Sequence, residues 1–113
     1  MKNLFLLLAV LTLSNQAFAG LRCSVGEEED YAVEVNTKSD KAAFFDNNEW
    51  SIIPATAAIG VFKGLDYTGA PLLIKIDYTE GLVQHHSITY EANGKKVTQE
   101  LDCRYADEMF SGI

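Results

Sequence analysis

The chain has 113 residues and a formal net charge of −7, from 16 acidic and 9 basic side chains. A chain of this length has room for one compact domain and is too short for two. Its acidic balance argues against nucleic acid and anionic lipid surfaces as partners, because both would repel it. A basic protein is the kind of partner that the charge permits.

Residues 1–19 have the three-part pattern of a secretory signal peptide. Lys2 supplies the positive start, residues 4–13 are largely apolar, and residues 17–19 are the Ala-Phe-Ala that a signal peptidase accepts. The apolar run is shorter than the roughly 20 residues that a membrane helix needs. We therefore expect cleavage and no stable membrane anchor, with a retained N-terminal helix as the less favoured alternative. Residues 20–113 would then be a single periplasmic or secreted domain of net charge −8, because Lys2 is the one charged residue removed.

The chain contains two cysteines, Cys23 and Cys103. A lipid anchor on Cys23 would need a small residue directly before the cysteine, and Arg22 stands there instead. A reactive thiol would need a CxxC pair or an activating histidine at local spacing, and the sequence has neither. In an oxidising compartment two cysteines are more often paired than free, so we predict a disulfide. Closing a loop of this length would remove unfolded-state entropy worth about 4 to 5 kcal/mol.

After residue 19 the apolar residues follow the two-residue period of β-strands, with no sustained helical period. In the second predicted strand, for example, Tyr31, Val33 and Val35 share one face. Asn47-Asn48 tolerates left-handed backbone and predicts a hairpin turn, and Gly60 predicts a bulge or a close backbone approach. The strands predicted for this part of the chain are residues 21–25, 31–37, 42–46, 50–53 (ended by Pro54) and 57–63.

The last part of the chain predicts a meander of three strands, residues 72–79, 82–91 and 95–105. Glu80-Gly81 and Asn93-Gly94 are its turns, and an Asn-Gly pair is the strongest short-range signal for a two-residue hairpin turn. The second turn fixes the register, because a slip of one residue would place apolar residues opposite polar ones. The predicted pairs are Glu91 with Lys96, Tyr90 with Val97, Thr89 with Thr98, and His85 with Asp102.

These patterns predict an all-β fold of about seven short antiparallel strands, closed into a small barrel or split into a sandwich. The C-terminal meander would contribute three strands, and the disulfide would tie the first strand to the last. Joining these terminal strands would also protect sheet edges that otherwise invite aggregation. Residues 106–113 would follow the last strand as a tail.

Four of the acidic residues form one run, Glu27, Glu28, Glu29 and Asp30. The run follows Gly26, which indicates a solvated turn between two strands. A calcium-binding loop would need alternating oxygen ligands and a downstream glutamate, and the run does not have that spacing. We therefore take these four residues as a candidate acidic patch for binding a partner.

His85-His86 is the strongest candidate for a metal or catalytic site. Adjacent strand residues point to opposite faces, so the two rings would not chelate one ion unless the strand bulged. The sequence has no G-x-S-x-G, HExxH or phosphate-binding glycine motif. We therefore expect no catalytic residue, no metal site and no cofactor. A small hydrolase with convergent carboxylates in a pocket is the least favoured hypothesis.

The opening RCSVG, residues 22–26, with a cysteine near each end of an exported all-β domain, resembles the periplasmic lysozyme inhibitors of the membrane-bound/C-type class. The resemblance covers mainly residues 21–53 and implies a small barrel that plugs the active cleft of a lysozyme. Those inhibitors carry a Ser-Gly loop before an aromatic strand, and the corresponding PATAAIGVFKG of residues 54–64 lacks that pair. We therefore carry over no inhibitory residue. We expect a non-enzymatic binding or interaction protein, with an inhibitor of a cationic cell-wall hydrolase as the alternative.

Overall fold

The computed structural model describes residues 20–78 and 84–113, which form eight β-strands and no helix. The fold is all-β, as predicted, and each of the eight strands overlaps one of the predicted strand ranges. The predicted signal peptide and the predicted Glu80-Gly81 turn lie outside the described residues. The strands are β1 (Gly20–Val25), β2 (Tyr31–Asn36), β3 (Lys41–Asp46), β4 (Glu49–Pro54), β5 (Val61–Leu65), β6 (Pro71–Lys75), β7 (His86–Ala92) and β8 (Lys95–Ala106).

The strands form a nearly closed up-and-down barrel. Their order in the sheet is β4-β3-β2-β1-β8-β7-β6-β5, and all the ladders among the described residues are antiparallel. The outermost strands, β4 and β5, meet through a bridge between Ala55 and Phe62. The backbone N–H of Thr56 also donates to the carbonyl oxygen of Val61 at 2.8 Å. The structure is therefore a barrel and not a sandwich, and these contacts protect the edges that an open sheet would expose.

Successive turns of an up-and-down barrel lie at alternate ends. The turns after β1, β3, β5 and β7 lie at one end, which we call the acidic end. The connections after β2, β4 and β6 lie at the other end, which we call the cavity end, and there the chain also enters β1 and leaves β8. A strand of six residues is about 20 Å long, so loops at opposite ends of the barrel do not act on the same small ligand.

The predicted disulfide between Cys23 and Cys103 joins β1 to β8. The two residues are direct partners in the ladder, with their Cα atoms 4.0 Å apart. The covalent link therefore lies where the first and last strands meet, and it is compatible with an oxidising, exported compartment. The buried apolar side chains inside the barrel are Leu21, Cys23, Val25, Val33, Val35, Ala42, Phe44, Ile53, Phe62, Leu72, Ile74, Ile76, Ile88 and Leu101.

The C-terminal meander of β6, β7 and β8 is confirmed, and its last hairpin has the predicted turn. Asn93 and Gly94 have φ angles of 55° and 76°, and a two-residue turn whose central residues are both left-handed matches the twist of the strands it joins. The three predicted pairs nearest the turn are formed, namely Glu91 with Lys96, Tyr90 with Val97, and Thr89 with Thr98.

The fourth predicted pair, His85 with Asp102, is not formed. The ladder between β7 and β8 ends at His86 and Leu101, one pair earlier. The backbone N–H of His85 donates instead to Oδ2 of Asp77, at 3.2 Å. The chain therefore leaves the barrel wall at His85 to meet the residues that follow β6.

Tyr31 does not share the inner face with Val33, which corrects the prediction from simple alternation. Val33 pairs with Cys23, but the next pair is Tyr31 with Ser24, so Ala32 is an extra residue in β2. An extra residue forms a β-bulge, and the residues beyond it then point to the opposite face of the sheet from the one that simple alternation predicts. The bulge therefore leaves Ala32 packed against the core and puts Tyr31 on the outer face.

The predicted strand 57–63 begins later than expected, at Val61. Gly60, directly before it, has a φ of 77°, and its carbonyl oxygen accepts the N–H of Ile76 at 2.7 Å. A Cβ atom on Gly60 would lie 2.2 Å from the carbonyl oxygen of Ile76. The close backbone approach predicted from Gly60 is therefore confirmed, and it brings the connection after β4 against the end of β6.

Candidate functional site

The candidate acidic patch, residues 27–30, forms the turn between β1 and β2, and its four side chains are exposed. Gly26 opens the turn with a φ of 59°. Its N–H donates to the carbonyl oxygen of Glu100 at 2.9 Å, and the N–H of Glu28 donates to the carbonyl oxygen of Val25 at 3.1 Å. These bonds fix the base of the turn and leave its carboxylates in solvent.

The next turn at the same end adds two carboxylates. Asp46 and Glu49 are paired at the end of the β3–β4 ladder, and both are exposed. Between them Asn47 and Asn48 have left-handed φ angles of 52° and 60°, which short polar side chains tolerate. The predicted hairpin turn is thus confirmed. Because β2 and β3 are neighbours, this turn lies beside residues 27–30.

Asp66 begins the loop between β5 and β6 and is the seventh carboxylate at this end. Its Oδ1 accepts hydrogen bonds from the N–H of Thr68 at 2.8 Å, from the hydroxyl of Thr68 and from the N–H of Ala70 at 2.9 Å. Partial burial acts to raise the pKa of Asp66, but these hydrogen bonds outweigh it and hold the pKa below its ordinary value. Asp66 therefore keeps its charge at neutral pH.

Residues 26–30, 46–49 and 66–70 together contain seven carboxylates and no lysine or arginine. We call these three adjoining loops the acidic rim, whereas the fourth turn at this end, between β7 and β8, is followed by Lys95 and Lys96. Like charges so close together create a negative potential that extends over about 10 Å at 0.1 M salt. Four of the seven were predicted from the sequence as one contiguous run. Asp46, Glu49 and Asp66 were not, because only the up-and-down strand order brings these separate turns together.

An aromatic pair, with Phe45 exposed and Trp50 half-buried, lies on the outer wall beside the acidic rim. Phe45 and Trp50 are opposite each other in the β3–β4 ladder, with ring centroids 5.0 Å apart. Phe45 is 38% exposed, and Ile52 is 50% exposed on the same face of β4. Strand patterning in the sequence does not tell an inward aromatic residue from an outward one, so the orientation of Trp50 is seen only in the structure. The pair gives the β3–β4 hairpin an apolar surface next to its charged turn.

The C-terminal tail covers a buried carboxylate on the outer wall of β1 and β2. Glu34 is fully buried, at 0% exposure, and accepts the N–H groups of Phe110 at 2.9 Å and Ser111 at 2.6 Å. The Nε of Arg22 lies 3.3 Å from the same carboxylate. The Arg22 guanidinium lies 4.1 Å from the ring centroid of Phe110 and 4.8 Å from that of Tyr31. The carboxylate is held by two tail N–H groups and an ion pair, while Nε of Arg22 and Oγ of Ser111 are buried without a hydrogen-bond partner among the described residues. We assign the tail a structural role.

A cavity of about 200 Å³ opens at the cavity end of the barrel. Leu21 and the disulfide residue Cys103 give it apolar wall, and the rings of Tyr78 and Tyr105 also line it. Burial raises the pKa of Tyr78, and the carboxylate of Asp40 raises it further. Tyr78 is therefore protonated at neutral pH.

His86 lines the same cavity and is only 7% exposed. Its Nδ1 accepts the backbone N–H of Asp77 at 3.0 Å. Burial lowers the pKa of His86, and the neighbouring His85 adds to this effect while the carboxylate of Asp77 opposes it. His86 is therefore neutral at pH 7, with its proton on Nε2. His85 is exposed, so the two adjacent rings lie in different surroundings.

Within residues 20–78 and 84–113, no group of three or more His, Cys, Asp or Glu side chains is placed to hold a metal ion. The same part of the chain contains no helix long and apolar enough to cross a membrane. Comparisons with protein families, with curated proteins and with solved structures found no match for the chain. The functional interpretation therefore rests on the charge, shape and contacts of the barrel itself.

Proposed function

We propose that the chain is an exported, non-enzymatic binding protein whose partner is a basic protein bound at the acidic rim. The observation that carries the proposal is the set of seven carboxylates in three adjoining loops, without a lysine or arginine among them. Such an arrangement attracts a cationic surface and orients it before contact. Nucleic acid and anionic membranes would be repelled by the same potential.

The aromatic pair Phe45 and Trp50 supports the proposal, because charge alone gives little affinity. Charged residues at the edge of an interface mainly raise the association rate, whereas buried aromatic side chains contribute most of the binding energy. The two rings belong to the same hairpin as Asp46 and Glu49. A partner attracted by the carboxylates would therefore meet the rings next, and we expect it to have an apolar surface among its basic groups.

The proposed location is the periplasm or the medium outside the cell. It is supported by the signal-peptide pattern of residues 1–19. The Cys23–Cys103 disulfide agrees with it, because disulfides persist in oxidising compartments.

A second candidate is the inhibition of a cationic cell-wall hydrolase such as a lysozyme. It is favoured by Ile59, which is 90% exposed in the loop after β4. This loop belongs to residues 54–64, the stretch that corresponds to the inhibitory loop of the lysozyme inhibitors that the chain resembles. It lies at the cavity end, opposite the acidic rim. The two binding modes therefore use opposite ends of the barrel and are separable by mutation.

Two double variants with equal charge changes test the proposal. Glu28→Gln with Glu29→Gln removes two charges from the acidic rim, and Asp107→Asn with Glu108→Gln removes two exposed charges from the tail. With a lysozyme as the basic probe at low salt, we expect calorimetry to show about threefold weaker binding for the rim variant. The tail variant should bind as the wild type does. No binding of the probe, or equal weakening by both variants, would contradict the proposal.

A lysozyme activity assay tests the second candidate separately. Ile59→Ser should abolish inhibition if the loop after β4 enters the active cleft, because an exposed isoleucine that inserts into a partner loses its apolar contact. The rim variant should then still inhibit. If neither the wild type nor the rim variant inhibits, the chain is not a lysozyme inhibitor, and binding at the acidic rim is judged by calorimetry alone.

A further inference from the structure

We propose that the cavity end holds a second binding site, for a small uncharged molecule with a single flat ring and a hydrogen-bond acceptor. The proposal is independent of the partner at the acidic rim, because the two lie at opposite ends of the barrel. It is carried by the size of the cavity, the residues that line it and the hydrogen bond that orients His86.

The size of the cavity sets the size of the ligand. The volume is about 200 Å³, and an apolar cavity on the order of 150 Å³ in another protein is known to bind benzene. The wall supplied by Leu21 and Cys103 is apolar, and the rings of Tyr78 and Tyr105 offer flat aromatic faces. These surfaces suit a molecule with one ring, and Thr37, Asp77 and Gln84 supply a polar part of the lining.

His86 determines the polar group that the ligand needs. Because its Nδ1 accepts the N–H of Asp77 at 3.0 Å, the neutral imidazole carries its proton on Nε2. Because the His86 side chain is 7% exposed and lines the cavity, only a group inside the cavity can come within hydrogen-bond distance of that N–H. A carbonyl or ether oxygen on the ligand would accept it, so the site selects a hydrogen-bond acceptor.

The charges around the cavity disfavour anionic ligands. Asp77 lines the cavity, and the carboxylate of Asp40 is close enough to raise the pKa of Tyr78. An anionic ligand would be repelled by these two carboxylates. A cationic group would be attracted to them but would not accept the N–H of His86. The acceptor group that fits both conditions is uncharged, and a ligand with one ring and such an acceptor is the simplest that meets them.

Benzamide is a suitable probe, because it has one ring, a carbonyl acceptor and no charge. We expect a titration followed by ¹H–¹⁵N NMR to show saturable shifts for Leu21, His86 and Tyr105 and no shifts at the acidic rim. Benzoate should bind at least about tenfold more weakly because of its charge, and toluene should also bind more weakly because it has no acceptor.

Matched histidine variants test the role of His86. His86→Asn keeps an acceptor near the N–H of Asp77 but removes the Nε2 donor, and it should weaken benzamide binding by about tenfold. His85→Asn changes the exposed neighbour in the same way and should leave binding unchanged. If His86→Asn does not fold, Tyr105→Ala at the mouth of the cavity replaces it, because Tyr105 is 72% exposed, and the same weakening is expected.

Several results would overturn the proposal. The first is that benzamide causes no saturable shifts. The second is that benzamide and benzoate bind with equal affinity. The third is that a folded His86→Asn variant, or its Tyr105→Ala replacement, binds benzamide as tightly as the wild type does. Shifts spread over the whole barrel would also overturn it, because they indicate non-specific contact. None of these outcomes bears on binding of a basic protein at the acidic rim.

Discussion

The carboxylate of Glu34 accepts the backbone N–H of Phe110 at 2.9 Å, although the two residues are 76 positions apart in the chain. Ser111 donates to the other carboxylate oxygen at 2.6 Å, and Arg22 lies against the same group. A charged side chain on the outer wall of a small barrel is normally solvated. Here the tail takes the place of water, so the tail is part of the folded domain.

Removing the Glu34 carboxylate should therefore destabilise the protein. Glu34→Ala leaves Arg22 without its buried partner and leaves two tail N–H groups without an acceptor, which we expect to cost about 3 kcal/mol of unfolding free energy. Urea denaturation followed by fluorescence measures this loss. Glu91→Ala, at an exposed position of β7, is the control and should cost less than about 0.5 kcal/mol. A loss for Glu34→Ala as small as that of the control would show that the tail does not hold the carboxylate.

Gly60 and Gly69 provide a matched test of close backbone approach. Both have positive φ angles, of 77° and 89°, so an alanine is strained at either position by about 1 kcal/mol. At Gly60 the new Cβ would also lie 2.2 Å from the carbonyl oxygen of Ile76, whereas at Gly69 nothing lies within 4 Å. We expect Gly60→Ala to lower the unfolding free energy by at least about 2 kcal/mol more than Gly69→Ala. Equal losses would mean that the connection after β4 does not pack against β6.

Gly94→Val tests the turn that fixes the last hairpin. Gly94 has a φ of 76° and open space around it, so the cost of valine is conformational and should be about 1 kcal/mol or more. Gly94→Asn is the control, because asparagine tolerates left-handed backbone and should cost less. The urea midpoints of the two variants give the comparison. An unchanged midpoint for Gly94→Val would contradict the turn assignment.

Stability should depend on pH through His86. Burial, aided by His85 and opposed by Asp77, lowers the pKa of His86 below its ordinary value of 6.5, so below pH 6.5 the unfolded chain binds this proton more readily than the folded one. The contribution of His86 is therefore complete above pH 6.5 and is lost as the pH falls through the folded pKa. Protonation also removes the acceptor for the N–H of Asp77.

Urea midpoints at pH 7.5 and pH 5 measure this effect. The wild type should lose more stability between these pH values than His86→Asn, which has no imidazole to protonate at this position. His85→Asn should retain a dependence on pH close to that of the wild type. A larger pH dependence in His86→Asn than in the wild type would mean that His86 is not buried in its neutral form.

Local signals allowed much of the fold to be predicted. The Asn93-Gly94 turn specifies its own register, and the alternation of apolar residues in β6 predicts which side chains are buried. The pairing of Cys23 with Cys103 was predicted from there being two cysteines in a chain whose first residues have the pattern of an export signal. Each of these inferences needs only residues close in sequence or a residue count.

Features that depend on distant contacts could not be predicted. The bulge at Ala32 is visible only when β2 is paired with β1, and the burial of Glu34 depends on residues at the other end of the chain. For the same reason, only a part of the acidic rim could be predicted from the sequence. Residues 27–30 are contiguous, whereas Asp46 and Asp66 join the acidic rim only through the order of the strands.

The salt dependence of association tests the central claim, binding of a basic protein at the acidic rim, most directly. Stopped-flow measurements of the purified protein with a lysozyme would compare 0.1 M with 1 M salt, over which the Debye length falls from about 10 Å to about 3 Å. We predict that the association rate constant falls by about tenfold or more for the wild type and by clearly less for the Glu28→Gln, Glu29→Gln variant. An association rate constant that is the same at both salt concentrations, or a salt dependence that the rim variant leaves unchanged, would contradict this claim.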